Sequence, residues 1–311
     1  MSANSSRTDI AFQSHGVTCR GWHYRPHGEG RRPAIVMSHG FSAVKEMGLA
    51  PFAERFAEAG FHVLVFDYRH LGGSDGAERG RLIPQEQQDD LRSALDFVAT
   101  LPGVDPERIG VWGTSYSGGH ALFVGALDPR VKVIVAQAPA IDLAGSLISL
   151  AGAEGFAGYL GLLAQDHAAR SAGHKGGRIA IVAPPGEPCV LPTPDSLEWF
   201  DRLAEAPGAN WENDTSLESV ARMAEYQPSA LIHLAAGKPI LMLAGEADSL
   251  IPVAQIKDAF ARAGEPKRLE ILDGGHFDFY PGQKHHERAA GLAADWFREH
   301  LGVREAVAAR A

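Results

Sequence analysis

Short, largely apolar runs, alternating with stretches of helical periodicity, constrain this chain more than any other feature. The runs are Ala34–Met37, Phe61–Phe66, Ile109–Trp112, Val131–Val135, Pro239–Ala244 and Leu269–Leu272. Each is too short for a helix and ends in turn residues. Apolar runs of this length suit strands buried on both faces. Between them the spacing predicts helices over Leu49–Ala59, Gln85–Leu101, Val253–Ala263 and about His286–His300. In the second of these, Leu91, Ala94, Leu95 and Val98 form one buried stripe. Strand–helix alternation predicts an α/β fold, a mostly parallel, doubly wound sheet with helices on both faces. Residues 9–25 read as two further strands around His15-Gly16, the second being Val17–Tyr24.

The region from Ile141 to Ala236 breaks this rhythm. It contains helix-like stretches at Gly145–Ala168, Asp195–Glu205 and Ser216–Glu225, and a Pro-rich segment, Val182–Pro188. No run in it is strand-like enough to join the sheet. It reads as a mainly helical cap, residues 141–236, inserted into a core of residues 1–140 and 237–311. At 311 residues with 45% hydrophobic content, the chain can fill one core and such an insertion. Leu147, Leu150, Phe156, Tyr159, Leu160, Leu162 and Leu163 could cover an apolar ligand, although most read as the cap's own core. Of these, Tyr159 and Leu160 are the substrate-contact candidates. Trp199, Phe200 and Trp211 fit either role. An apolar-rich cap is also compatible with a homodimer. The tail Arg304–Ala311 reads as frayed.

The formal charge of -9 leaves no excess of basic residues to bind a phosphate backbone, so nucleic acid is excluded as a partner. The two cysteines, Cys19 and Cys189, are far apart and outside any CxxC pair, which argues against a disulfide framework or a zinc site. The stretch MSANSSRTDI lacks an apolar signal core, and no run approaches the roughly 18 apolar residues of a membrane span. The expectation is a cytoplasmic protein without a membrane partner.

The stretch Val111–His120 carries the chemistry. A strand must turn sharply into a helix at Gly113-Thr114-Ser115-Tyr116-Ser117-Gly118-Gly119. Such a turn holds its central residue strained and exposed above the sheet, and requires small neighbours two positions before and after it. Gly113 and Ser117 meet that need around Ser115. The pattern differs from G-x-S-x-G in having Ser117 where the second Gly stands. Ser117 is therefore an alternative nucleophile, but Ser115 lies at the better distance from the strand.

A serine hydroxyl needs a base to take its proton. In this kind of arrangement the order is Ser, acid, His. After the run Pro239–Ala244 comes Gly245-Glu246-Ala247-Asp248, and Asp248, deeper in the loop, is the acid, with Glu246 in reserve. After Leu272 comes Asp273-Gly274-Gly275-His276, whose glycines free the loop to place an imidazole. His276 is thus the base among 14 histidines, while Asp273 and Asp278 read as surface charges. Two N–H donors for an oxyanion are expected from the amides of Tyr116 and Phe41. Phe41 and Tyr116 are also substrate-contact candidates. Asp67–Gly76 reads as a structural turn, His39 as a loop organiser, and Lys45 and Glu46 as a solvated pair near the mouth.

These motifs, with His39-Gly40-Phe41 and Asp67-Tyr68-Arg69, resemble the α/β-hydrolase superfamily from about Ala34 to His300. The details are similar to a dienelactone-hydrolase-like and S15-peptidase-like branch that includes polyketide transferases and thiohydrolases. The resemblance implies the α/β-hydrolase fold and a small acyl substrate. It implies ester, thioester or amide hydrolysis, or acyl transfer or carbon–carbon cleavage by the same triad, without metal or organic cofactor. A non-catalytic binder on this fold is the remaining alternative. Ser115, where dienelactone hydrolases carry Cys, points to a serine enzyme, and an ester or thioester is the expected substrate.

Overall fold

A computed structural model describes residues 6–302; the N-terminal five residues and the expected frayed tail lie outside the described residues. The strands are β1 (Ser6–Ser14), β2 (Val17–Arg25), β3 (Arg32–Ser38), β4 (His62–Phe66), β5 (Val104–Thr114), β6 (Val131–Gln137), the short β7 (Arg178–Ile179) and β8 (Thr215–Ser216), β9 (Ile240–Gly245) and β10 (Lys267–Leu272). The helices are α1 (Ala50–Glu58), α2 (Pro84–Thr100), α3 (Tyr116–Leu127), α4 (Leu143–Ser171), α5 (Pro194–Ala204), α6 (Leu217–Ala224), α7 (Val253–Arg262) and α8 (His286–Leu301).

Eight strands form one sheet in the order β1-β2-β4-β3-β5-β6-β9-β10. β2 runs antiparallel to β1 and β4, and the other neighbours are parallel. Phe52, Phe56 and Phe297, on α1 and α8, bury one face. Leu91, Leu95, Leu122 and Ile256, on α2, α3 and α7, bury the other. Five of the six runs read from sequence are central strands; the sixth, Leu269–Leu272, lies in the edge strand β10, where only Leu272 is buried, and the α/β-hydrolase expectation describes the architecture. The chain reverses its direction of travel between β3 and β5, where a parallel sheet opens a crevice at its carboxyl edge. Register fixes that edge: Ser38 pairs with Gly113, Thr114 with Gln137, and Gly245 with Leu272. The loops after these strands converge on one place.

The segment between β6 and β9 adds no strand to this sheet; its β7 and β8 pair only with each other. Its far part is stitched to the core by side chains. The Leu82 amide donates to Ser219 Oγ (2.8 Å), Thr215 Oγ1 donates to the Gly80 carbonyl (2.7 Å), and Asn210 donates to the Gly72 carbonyl (3.0 Å). α4 differs. Gly152 (φ 69°) breaks it, and past the break most of its residues are exposed. Ile148, Leu160 and Leu162 are each more than 40% exposed. By length and composition alone α4 is apolar enough to cross a membrane, which corrects the expectation that no run approached that size. Its hydropathy comes mainly from its leucines and Ile148, which are scattered among alanines and glycines and so form no unbroken run.

Candidate active site

Ser115 caps α3 with φ 55° and ψ −120°. A non-glycine residue there stores on the order of 1–3 kcal/mol of strain, and persists only where its surroundings over-determine it. They do so here. The Ser115 amide donates to the Gln137 carbonyl (2.8 Å), and the Ser115 carbonyl accepts from the amides of Gly118 (2.9 Å) and Ala140 (2.9 Å). A side chain at Gly113 would lie 2.0 Å from the Ser117 carbonyl oxygen, so only glycine lets β5 turn this tightly into α3. A Cβ at Gly40 would lie 3.1 Å from the Ser115 Cβ, so the loop after β3 rests directly on Ser115.

His276 Nε2 lies 3.0 Å from Ser115 Oγ, and His276 Nδ1 lies 2.7 Å from Asp248 Oδ2. An ionised carboxylate can only accept, so Nδ1 carries the proton and Nε2 accepts from the serine hydroxyl. Asp248 Oδ1 takes the amides of Leu250 (2.9 Å) and Ile251 (2.8 Å), leaving its carboxylate fully committed. The side chains of His276 and Asp248 are buried. Glu246, the reserve acid, is exposed. Asp278 is more than a surface charge: its Oδ2 accepts the Gly275 amide (2.8 Å) and shapes the turn that presents His276. Asp273 does face solvent, paired with Lys284.

Phe41 and Tyr116 stand beside Ser115, their rings meeting edge to face at 5.4 Å. Their backbone amides donate to no protein acceptor among the described residues. Lys45 and Glu46 are corrected: Lys45 is buried and Glu46 half-buried, so they are not a solvated pair. Lys45 Nζ sits 2.7 Å from both Glu46 Oε1 and Asp67 Oδ2, and its amide donates to Asp67 Oδ1 (2.7 Å). A charge this dry holds only because two carboxylates face it. Asp67 also accepts the Gly73 amide (2.9 Å), so one carboxylate braces the loop after β3 against the turn after β4.

Above Ser115 and His276 lies a narrow cavity with almost no polar surface. Its empty space, open mouth included, is about 640 Å³. Leu143, Leu147 and Leu150, from α4 before Gly152, line it with Val190, Trp199, Phe200 and Met223. Leu250, Ile251, Phe277 and Tyr280 come from the loops carrying Asp248 and His276. Tyr159 and Leu160 do not line it, which corrects their place among the substrate contacts. Both follow the break at Gly152, and Leu160 lies in an outer groove beside Phe156 and Ala221. Trp199 was readable only as an ambiguous aromatic. It stacks on Phe277 (5.2 Å between ring centres) and meets Tyr280 (4.9 Å), bringing the inserted segment to within one residue of His276. Nothing in the local pattern marks Val190 or Met223. Among the described residues no group of three or more His, Cys, Asp or Glu side chains is arranged to hold a metal ion.

The profile of the X-Pro dipeptidyl-peptidase (S15 family) matches residues 16–278. The quorum-quenching protein AidA of Acinetobacter baumannii is 31% identical over 277 residues, covering 88% of this chain and 89% of that protein. A thiohydrolase of Eupenicillium brefeldianum is 32% identical, covering 89% of each. The crystal structure of the alpha/beta hydrolase GrgF from Penicillium sp. sh18 is similar with a TM-score of 0.80 at 27% identity, covering 96% of this chain and 100% of that one.

Proposed function

Starting from the fact that this chain belongs to the X-Pro dipeptidyl-peptidase (S15) family and is an α/β-hydrolase whose relatives include thiohydrolases and polyketide transferases, we propose that it is a serine hydrolase of apolar carboxylic esters or thioesters. The observation that carries this reading is the continuous hydrogen-bonded chain Ser115–His276–Asp248 under an apolar cavity. Ser115 Oγ adds to the carbonyl carbon while His276 Nε2 takes its proton. Asp248 holds Nδ1–H and balances the imidazolium. The negative oxygen is met by the amides of Phe41 and Tyr116, which no other group occupies. The leaving alkoxide or thiolate takes the proton from His276. Water, activated by the same imidazole, then releases the acid.

The cavity wall argues for the substrate class. A dipeptidyl peptidase must hold a free ammonium terminus, and among the described residues no Asp or Glu lines this cavity. A neutral acyl chain fits it, with the segment between β6 and β9 acting as its cap. Hydrolysis of p-nitrophenyl esters and of acyl thioesters of increasing chain length tests the proposal. The expected result is turnover that rises with acyl length and is lost in Ser115→Ala. Normal turnover in folded Ser115→Ala would sink it. Added thiols or alcohols measure how much acyl group is transferred rather than hydrolysed.

A further inference from the structure

Ser117 stands where the strand-to-helix turn pattern calls for glycine, and its hydroxyl has a defined task. It is fully buried on the first turn of α3 and is absent from the cavity wall. Its Oγ–H donates to the carbonyl of His39, in the loop after β3. With that proton committed, Ser117 Oγ accepts from the Tyr68 hydroxyl (2.8 Å). Tyr68, also fully buried, follows β4. Two loops of the carboxyl edge and the start of α3 are thus joined by a directed relay: Tyr68 O–H to Ser117 Oγ–H to the His39 carbonyl.

The next peptide along is also held. His39 Nδ1 lies 3.1 Å from the Gly40 carbonyl, and the Ala43 amide lies 3.3 Å from the same oxygen. Burial lowers the His39 pKa, and because a carbonyl can only accept, Nδ1 is the donor to Gly40. A planar trans peptide points its N–H opposite its C=O. Pinning the Gly40 carbonyl on the protein side therefore aims the Phe41 N–H away from it, and the His39 carbonyl anchor sets the start of that turn. The loop bears on Ser115 through Gly40.

We propose that Ser117 is a positioning residue: through the His39 carbonyl it locks the β3 loop to the nucleophile helix and so sets the Phe41 amide where the oxyanion forms. This rests on the serine-hydrolase reading above. A glycine at position 117 would leave the His39 carbonyl and the Tyr68 hydroxyl buried without this partner, a cost proteins rarely carry. The same geometry removes Ser117 as an alternative nucleophile, since its proton is held by a carbonyl and no base reaches it.

The test is steady-state kinetics with p-nitrophenyl butyrate for wild type, Ser117→Ala, Tyr68→Phe and the double variant, with Ser115→Ala alongside. Deleting an oxyanion donor outright costs about 10²–10³ in kcat, and misaiming one costs less, so kcat of Ser117→Ala should fall about 10-fold. KM should stay within about twofold, because ground-state binding does not use the donor. Tyr68→Phe should fall less, and the double variant no further than Ser117→Ala, because both act through one relay. Wild-type kcat in folded Ser117→Ala overturns the relay, as does a loss appearing wholly in KM. Should Ser117→Ala fail to fold, Tyr68→Phe decides: a several-fold kcat loss at constant KM supports the relay and no loss overturns it. Turnover surviving in Ser115→Ala would overturn the nucleophile reading and the relay together. Turnover lost there but intact in Ser117→Ala overturns the relay alone.

Discussion

The carboxyl edge of the sheet and the segment inserted between β6 and β9 are built on opposite terms. At the edge, the groups around the nucleophile are buried and held by directed bonds: Asp67 takes three donors, Asp248 takes three, and Ser115 is held in a strained backbone by bonds on both sides. The insertion presents apolar surface outward on α4 and inward to the cavity, and is tied to the core chiefly by its later part, from Asn210 to Tyr226. Directed bonds fix positions to a fraction of an ångström, which bond-making chemistry requires. Apolar contact fixes only volume and shape, which suits choosing an acyl group. The edge therefore carries reaction and the insertion carries selection.

That division can be broken most sharply at the edge. Asp248→Asn should lower kcat by about 10³–10⁴, because the amide favours the wrong imidazole tautomer. Glu246→Gln, at the exposed acid on the same loop, should leave kcat within twofold, and equal losses would show that the loop acts as a whole.

Stability against pH probes the core behind the edge. His23 and His62 are buried and stacked, with His23 Nε2 2.9 Å from His62 Nδ1. Burial first, then the neighbouring His62 and Arg25, lowers the His23 pKa to about 4. Burial lowers the pKa of His120 to about 3; there Gln87 and Tyr226 bind the two ring nitrogens. A histidine with a lowered folded pKa makes the unfolded chain the stronger proton binder. Its stabilising effect is complete above about 6.5 and is lost as pH falls towards the folded value. Urea unfolding at pH 7 and pH 5 should show a loss on the order of 2 kcal/mol for each of these two rings. A flat profile would contradict neutral burial of these rings.

The insertion should answer differently. Leu147→Ala should raise KM for a long-chain ester by up to about 10-fold with kcat little changed, since it removes contact made alike in ground and transition states. Leu160→Ala, on the exposed stretch past Gly152, should change neither KM nor stability beyond about 0.5 kcal/mol. If Leu160→Ala matched Leu147→Ala, α4 would have to reach the substrate along its whole length.

This difference also explains what the amino-acid sequence revealed. Ser115, Asp248 and His276 are readable because each follows a strand of the sheet, and the strands are legible as largely apolar runs. Gly113 and Gly40 are demanded by backbone geometry, so they stand out. The burial of Lys45 was not legible, because its partner Asp67 is brought to it only when β3 and β4 pair. The bond from Ser117 to the His39 carbonyl is invisible for the same reason. In the insertion, Leu147 and Leu160 have the same chemistry, and only the break at Gly152 separates the cavity wall from the surface. Trp199 gained its place through contact with Phe277, far along the chain.

Reaction with a fluorophosphonate, followed by intact-mass analysis and peptide mapping of wild type and Ser115→Ala, tests the central claim most directly. The account predicts one adduct per chain, on Ser115, absent from the variant. An adduct on Ser117, or none on folded wild-type protein, would contradict it.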